Sequence, residues 1–213
     1  MNHASFRLRS SDSASTILVV DDDHVFRGAV SSLLRSVGHT VQEFSNPLDM
    51  LAHPQARAAH CMILDVRLQG HSGLEVQTQM TALGMCLPII FMTGHGDVPM
   101  SVKAMKAGAV DFFSKPFNHQ DFLDSVSKAV SHYREDLEKR EQLQSLHEHF
   151  SRLTNREKQV MEGVVDGLLN KQIANNLNIS EITVKVHRAN TMRKMGVTTL
   201  ADLVRVSQLL TPQ

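Results

Sequence analysis

Five short apolar runs, each followed by a stretch with helical spacing, fill the chain from about residue 17 to 131. The runs are "ILVV", "TVQEF", "CMIL", "PIIFM" and "AVDFF". Each is four or five residues long, β-branched or aromatic, and bounded by turn-forming residues, which predicts strands. The stretches between them predict helices over 25–37, 47–52, 74–83, 98–107 and 120–131. Alternation of this kind requires a parallel sheet with helices on both faces. Runs as uniformly apolar as "CMIL" and "PIIFM" fit strands buried on both sides.

In an open parallel sheet the ligand site lies beyond the carboxyl ends of the strands. Those ends carry Asp21, Asp22 and Asp23 after the first run, Asp65 after the third, Thr93 after the fourth and Lys115 after the fifth. Three adjacent carboxylates are costly unless they are solvated, cap a helix or hold a cation. Asp23 sits where it can cap the following helix, whose N-terminus favours negative charge. Asp21, Asp22 and Asp65 together form an oxygen donor set suited to Mg²⁺. Beside such an ion Asp65 becomes a nucleophile for a phosphoryl group, with Lys115 and Thr93 placed to meet the transferring oxygens.

The stretch "YREDLEKREQLQSLHE" at 133–148 is charged and free of Gly and Pro, and predicts a helical linker over 132–150. Leu143, Leu146, Phe150 and Leu153 follow heptad spacing for under two heptads, a short seam that could assist a dimer. Beyond it the pattern becomes four short helices. Thr154 and Glu157 form a capping-box pair, and Ser180 caps "EITVKVHRANTMRKM". In that helix Val184, His187, Thr191 and Met195 share an inward face, with Lys185, Arg188, Ala189, Met192 and Arg193 on the other. Residues 151–213 hold nine Lys/Arg against five Asp/Glu, whereas the whole chain has 22 of each. A basic C-terminal piece invites a polyanion. The two cysteines, Cys61 and Cys86, stand beside apolar runs and predict buried free thiols rather than a disulfide framework. The Ser-rich start, residues 1–15, has no apolar leader core and reads as a disordered tail. No run approaches membrane-spanning length, so a cytoplasmic protein is expected.

"VVDDD", "LDVR", "TGHGDVPMSVKAMKAGAVDFFSKPF" and "LTNREKQV…NKQIANNLNIS…TVKVHR" give these features a name at family level. The chain resembles two-component response regulators of the FixJ/NarL family, with the strongest likeness to FixJ and StyR-like members. The resemblance covers about 17–210. It implies a flavodoxin-like (βα)5 receiver domain at 16–131 and a four-helix LuxR-type helix-turn-helix domain at 151–213. It implies Asp65 as phosphoacceptor, and Asp21, Asp22, Asp65 and the backbone carbonyl of Arg67 as Mg²⁺ ligands. Thr93 and Phe112 match the switch pair and Lys115 the phosphate-binding lysine. Lys171, Thr183, Lys185, Val186, Arg188, Ala189 and Arg193 match DNA-contacting positions. The implied partners are a sensor histidine kinase, promoter DNA, RNA polymerase and a second copy of the chain after phosphorylation. Two positions depart from the family pattern. Gln69 stands where a proline usually stiffens the loop beside the site. Thr191 replaces a core hydrophobe.

Two other readings compete. "DDDHV" also fits D-x-D-x-V, the nucleophile signature of haloacid-dehalogenase-type phosphohydrolases, with Asp21 as nucleophile and Asp23 as acid/base. The acids after Lys115, Asp121 and Asp124, lie in an amphipathic helical pattern, and that reading leaves the basic tail unexplained. A regulator with a degenerate receiver, binding DNA without phosphorylation, is opposed by the intact set of five strand-end residues. His147 and His149 are two apart on a helix and point to different faces, which argues against a zinc site.

Overall fold

The computed structural model describes residues 14–94 and 98–210, and they divide into two compact units at Glu135/Asp136. In the first unit β1 (Thr16–Val20), α1 (His24–Ser36), β2 (Thr40–Phe44), α2 (Pro47–Ala52) and β3 (Cys61–Asp65) open the chain. A two-residue pair, β4 (Arg67–Leu68) and β5 (His71–Ser72), precedes α3 (Gly73–Ala82), β6 (Ile89–Thr93), α4 (Val98–Lys106) and β7 (Asp111–Ser114). Helix α5 runs without interruption from His119 to Ser151. The expected helix over 120–131 and the linker helix over 132–150 are therefore one helix. Nothing in the Gly- and Pro-free sequence between them would stop it. Of the expected N-terminal tail, residues 1–13 lie outside the described residues. Ser15 is already buried, and its carbonyl accepts a hydrogen bond from the Thr40 amide.

The sheet order is β2-β1-β3-β6-β7, every neighbour parallel. This is the flavodoxin-like order, with the topological switch between β1 and β3. The strands alternate strictly between two cores. Leu18, Val20, Met62, Leu64 and Phe91 point to one face, where they meet Met50, Val76, Met80 and Ala104. Ile17, Val19, Cys61, Ile63, Ile90 and Met92 point to the other, against Val30, Leu34, Phe122 and Val126. Cys61 is thus a core residue, and burial pushes its thiol up to about 12. Cys86 departs from expectation and is exposed, because it lies in the turn after α3 rather than on β6.

The second unit has α6 (Asn155–Val165), α7 (Asn170–Leu177), α8 (Glu181–Met195) and α9 (Leu200–Leu210). They share one core around Val160, Met161, Val164, Ile173, Val184, Met195 and Leu203. Leu146, Phe150 and Leu153 belong to that same core. The heptad seam read from the sequence is thereby consumed inside the unit, and only Leu143 of the four is exposed. Met192, expected on the outer face of α8, also packs against this core.

β4 and β5 form a tight hairpin beside β3, and Gln69 sits in its turn. Arg67 pairs with Ser72 and Leu68 with His71 across a Gln69–Gly70 turn, and Gly70 takes a positive φ of 75° that glycine tolerates. Just after it, Gly73 lies against β3. A Cβ at Gly73 would collide with the Asp65 carbonyl oxygen and crowd Phe91. Replacing Gly73 by Ala should lower the receiver's stability by about 1–3 kcal/mol through overpacking. Urea unfolding of that variant, followed by circular dichroism, checks it.

Candidate functional site

Four parallel strands deliver their last residues to one edge of the first unit. β1 leads into Asp21 and Asp22, β3 ends at Asp65, β6 ends at Thr93 and β7 leads into Lys115. Backbone hydrogen bonds fix the set: Asp21 N–H to the Phe44 carbonyl, Val66 N–H to Met92, and Lys115 N–H to Thr93. Asp21 and Thr93 are fully buried, Asp65 nearly so, and Asp22 half-exposed. One carboxylate oxygen from each of Asp21, Asp22 and Asp65 lies within 4.8 Å of the others.

The Lys115 ammonium joins the two most buried carboxylates. It donates to Asp21 Oδ2 at 2.6 Å and to Asp65 Oδ2 at 2.7 Å. It also lies 3.8 Å from the centre of the Phe26 ring, which covers it from α1. Burial alone would depress the Lys115 pKa, but the two carboxylate hydrogen bonds outweigh it and hold the ammonium above the usual lysine value. Burial raises the Asp21 carboxyl above its ordinary value, against the lowering effect of Lys115. The other oxygens are engaged locally: Asp21 Oδ1 accepts from the Asp23 amide and Asp65 Oδ1 from the Arg67 amide, each at 2.9 Å.

Asp23 is turned away from this cluster. Its Oδ1 accepts from the Val25 and Phe26 amides as the N-cap of α1, and the Phe26 amide above all holds its carboxyl below the usual range. Asp23, engaged as the α1 cap, is not paired with Asp21 as the acid/base of the phosphohydrolase reading would be, and both Asp21 oxygens are taken up by Lys115 and the Asp23 amide. Phe112 is half-buried on β7 and packs against the core that contains α4. Phe26 was not identified from the sequence. Its contact with Lys115 depends on the tertiary register between α1 and β7, for which no local pattern exists.

In the second unit α7 and α8 form a helix–turn–helix whose turn passes through Asn178 at φ 53°, a left-handed C-cap. Ser180 caps α8, accepting from the Thr183 amide. Lys171, Lys185, Val186, Ala189 and Arg193 are exposed, and Thr183 is half-buried. Arg188 is also half-buried, and it donates to Asn170 Oδ1, tying α8 to the start of α7. The inner face of α8 is held from below. Thr191 Oγ1 donates to the Glu157 carbonyl, so the unexpected hydroxyl in the core is satisfied. Lys194 donates to Glu157 Oε2 at 2.6 Å and to the Arg152 carbonyl at 3.2 Å. The same Glu157 completes the capping box with Thr154.

Comparison with known proteins gives these two units relatives. Residues 17–127 match the response regulator receiver domain, and residues 151–207 match the bacterial regulatory proteins of the luxR family. The chain is 48% identical over 200 residues to response regulator protein TodT of Pseudomonas putida, covering 94% of this chain and 88% of TodT. It is 39% identical over 191 residues to transcriptional regulatory protein FixJ of Bradyrhizobium diazoefficiens, covering 90% and 93% of the two chains. The solved structure of response regulator StyR is 45% identical, covers 92% of this chain and 99% of its own, and gives a TM-score of 0.86.

Glu157 supplies a pH signature for the second unit. Burial pushes its carboxyl up, but the Lys194 and Thr154 hydrogen bonds win and hold it below the ordinary glutamate value. A lowered folded pKa contributes stability that is present above the unfolded value of 4.5 and disappears as pH falls through the folded one. Glu157→Gln keeps the capping-box pattern but loses the charge-assisted bond to Lys194, a loss of about 1–2 kcal/mol at pH 7, and wild type and variant should converge on acidification below pH 4.5. Denaturant unfolding at several pH values reads the difference.

Proposed function

The chain belongs to the two-component response regulators that join a receiver to a LuxR-type output domain, and from that premise we propose that Asp65 accepts a phosphoryl group from a sensor histidine kinase and that phosphorylation controls transcription through DNA binding by α8. One observation supports this above the others. A single ammonium binds both Asp21 and Asp65, leaving a carboxylate nucleophile, a cation and a buried hydroxyl at one strand edge.

The donor set fits Mg²⁺: three carboxylates, all oxygen, at a half-open edge. Asp22 and Asp65 would hold the ion, with Asp21 through water and the Arg67 carbonyl completing the set. When bound, Mg²⁺ neutralises charge on the phosphoryl oxygens. An Asp65 carboxylate oxygen bonds to phosphorus as the phosphorus–nitrogen bond to the kinase histidine breaks, and the imidazole leaves with the electron pair. Lys115 exchanges its bond to Asp65 for one to a phosphoryl oxygen while keeping Asp21. Thr93 donates its hydroxyl to another. A charge-assisted hydrogen bond of this kind is worth about 1–3 kcal/mol, enough to shift a two-state equilibrium by roughly one to two decades. The response is then a population shift in which Thr93 moves toward the phosphoryl group and Phe112 turns inward.

The face carrying Met100 and Lys103 on α4 would then self-associate about a two-fold axis. Two output units would reach half-sites about one helical turn apart and recruit RNA polymerase in the cytoplasm. Lys185 and Arg188 supply cations to phosphates or guanine edges, and Lys171 supplies one from α7.

Asp65→Asn should take no label from radioactive acetyl phosphate with Mg²⁺; labelling equal to wild type would remove Asp65 from the role. Full-length protein should shift from monomer to dimer in sedimentation at tens of micromolar when beryllofluoride and Mg²⁺ are added. A persistent monomer would favour relief of interdomain inhibition instead. Lys185→Ala or Arg188→Ala should weaken specific binding by about 1–3 kcal/mol at matched salt.

A further inference from the structure

A cavity of about 530 Å³ opens in the first unit where the strands begin, at the opposite end of the sheet from Asp65. Helix α5 contributes Ser127, Ser131 and Arg134, whose spacings of four and three put them on one face. Ser15, just before β1, and His39, in the turn between α1 and β2, line the cavity from the rest of the unit. Val130, buried in the core, lines it as well. Backbone geometry fixes the wall that carries Ser15 and His39. Gly38 takes a φ of 92°, the His39 amide donates to the Leu34 carbonyl, and the Thr40 amide donates to the Ser15 carbonyl.

Every polar side chain of this lining can donate a hydrogen bond: three hydroxyls, an imidazole and a guanidinium. Among the described residues, no Asp or Glu lines the cavity. The guanidinium also governs its surroundings. Burial, and then the Arg134 charge, lower the pKa of His39. The same causes, in the same order, act on His60, whose Nδ1 accepts from the Thr16 amide. A half-buried cation among donors attracts an anion; it would repel a cation and would leave an apolar ligand facing unsatisfied donors. Phosphate suits this recess better than carboxylate, because it brings three strong acceptor oxygens and close to two negative charges. The volume lies within the range of about 300–1,000 Å³ typical of small-molecule sites, so an organic group attached to the phosphate also fits.

We propose that this cavity binds a small ligand through its phosphate group, with Arg134 and His39 meeting the charge and the serine hydroxyls the remaining oxygens. The ligand is inorganic phosphate or a phosphate monoester. Its site is distinct from the strand edge at Asp65 and needs no Mg²⁺. Arg134 stands two residues before the second unit begins at Asp136, on the helix that continues to Ser151. Occupancy therefore acts on α5 where it leaves the first unit, and gives the chain a second input besides phosphorylation of Asp65.

The test uses full-length ¹⁵N-labelled protein, kept in EDTA so that Asp65 stays without metal. Glycerol 3-phosphate, inorganic phosphate and sodium chloride are titrated at matched ionic strength, and amide shifts are followed by NMR. Saturable shifts should centre on Ser15, His39, Ser131 and Arg134 for the phosphates and be absent for chloride. Arg134→Gln and Ser131→Asp should each weaken binding about tenfold, the first by removing a charge-assisted bond and the second by placing a carboxylate in the recess. Ser131 is exposed and Arg134 half-buried, and the same spectra report the fold of each variant. Tighter binding of glycerol 3-phosphate than of inorganic phosphate would identify the ligand as a monoester; equal affinity would identify it as the free ion. Shifts that do not saturate, or that survive both substitutions, would overturn the proposal. So would binding that appears only in Asp12→Asn, because the chain's own carboxylate would then fill the site.

Discussion

Two carboxylates approach each other at the strand edge because one ammonium stands between them. Asp21 is fully buried and Asp65 nearly so, and without Lys115 desolvation and the neighbouring Asp65 charge would push the Asp21 carboxyl still further up. The lysine is itself poorly exposed and lies against the Phe26 ring, so each charge is tolerated only because the others are present. That mutual dependence requires residues 21, 65 and 115 to arrive from three different strands at one height. A parallel sheet achieves this because every strand ends on the same side. The apolar runs that build the sheet and the polar residues that follow them are therefore one design: the first set buys the register in which the second can meet.

The second unit solves a related problem for α8. A helix that carries Lys185 and Arg193 outward gains little from its own surface, and its position is set from its inner side. Val184 and Met195 enter the core, Thr191 bonds the Glu157 backbone, and Lys194 bonds the Glu157 carboxylate. Glu157 in turn caps α6 through Thr154. Leu146, Phe150 and Leu153 complete that core, which is why the last turns of α5 offer no free apolar seam.

Much of this was legible in the sequence. Short, uniformly apolar runs such as "CMIL" and "PIIFM", bounded by turn-forming residues, placed the strands, and the strand ends singled out Asp21, Asp22, Asp65, Thr93 and Lys115. Thr154 with Glu157, and Ser180 before α8, marked helix starts through short-range hydrogen bonds. What stayed hidden depends on partners distant in the chain. Leu143, Leu146, Phe150 and Leu153 have the spacing of a dimer seam, and spacing cannot distinguish another chain from the same chain's own core. Arg188 reads as a free cation until Asn170 is seen beside it. Cys86 stands just before the "PIIFM" run but falls in the turn after α3, so adjacency to a hydrophobic run did not mean burial. The consequence of Gln69 replacing proline was equally invisible, because the Arg67–Ser72 and Leu68–His71 pairs that restrain the loop involve residues with weak strand preference.

The proposed roles of Asp65 as nucleophile and of Asp21 as a supporting carboxylate held by Lys115 are separable by direct chemistry. Borohydride reduction of the acetyl-phosphate-treated protein converts an aspartyl phosphate to homoserine, and peptide mass spectrometry then locates it. Homoserine should appear at position 65, and only when Mg²⁺ is present. Homoserine at position 21, or equal conversion without the metal, would contradict it.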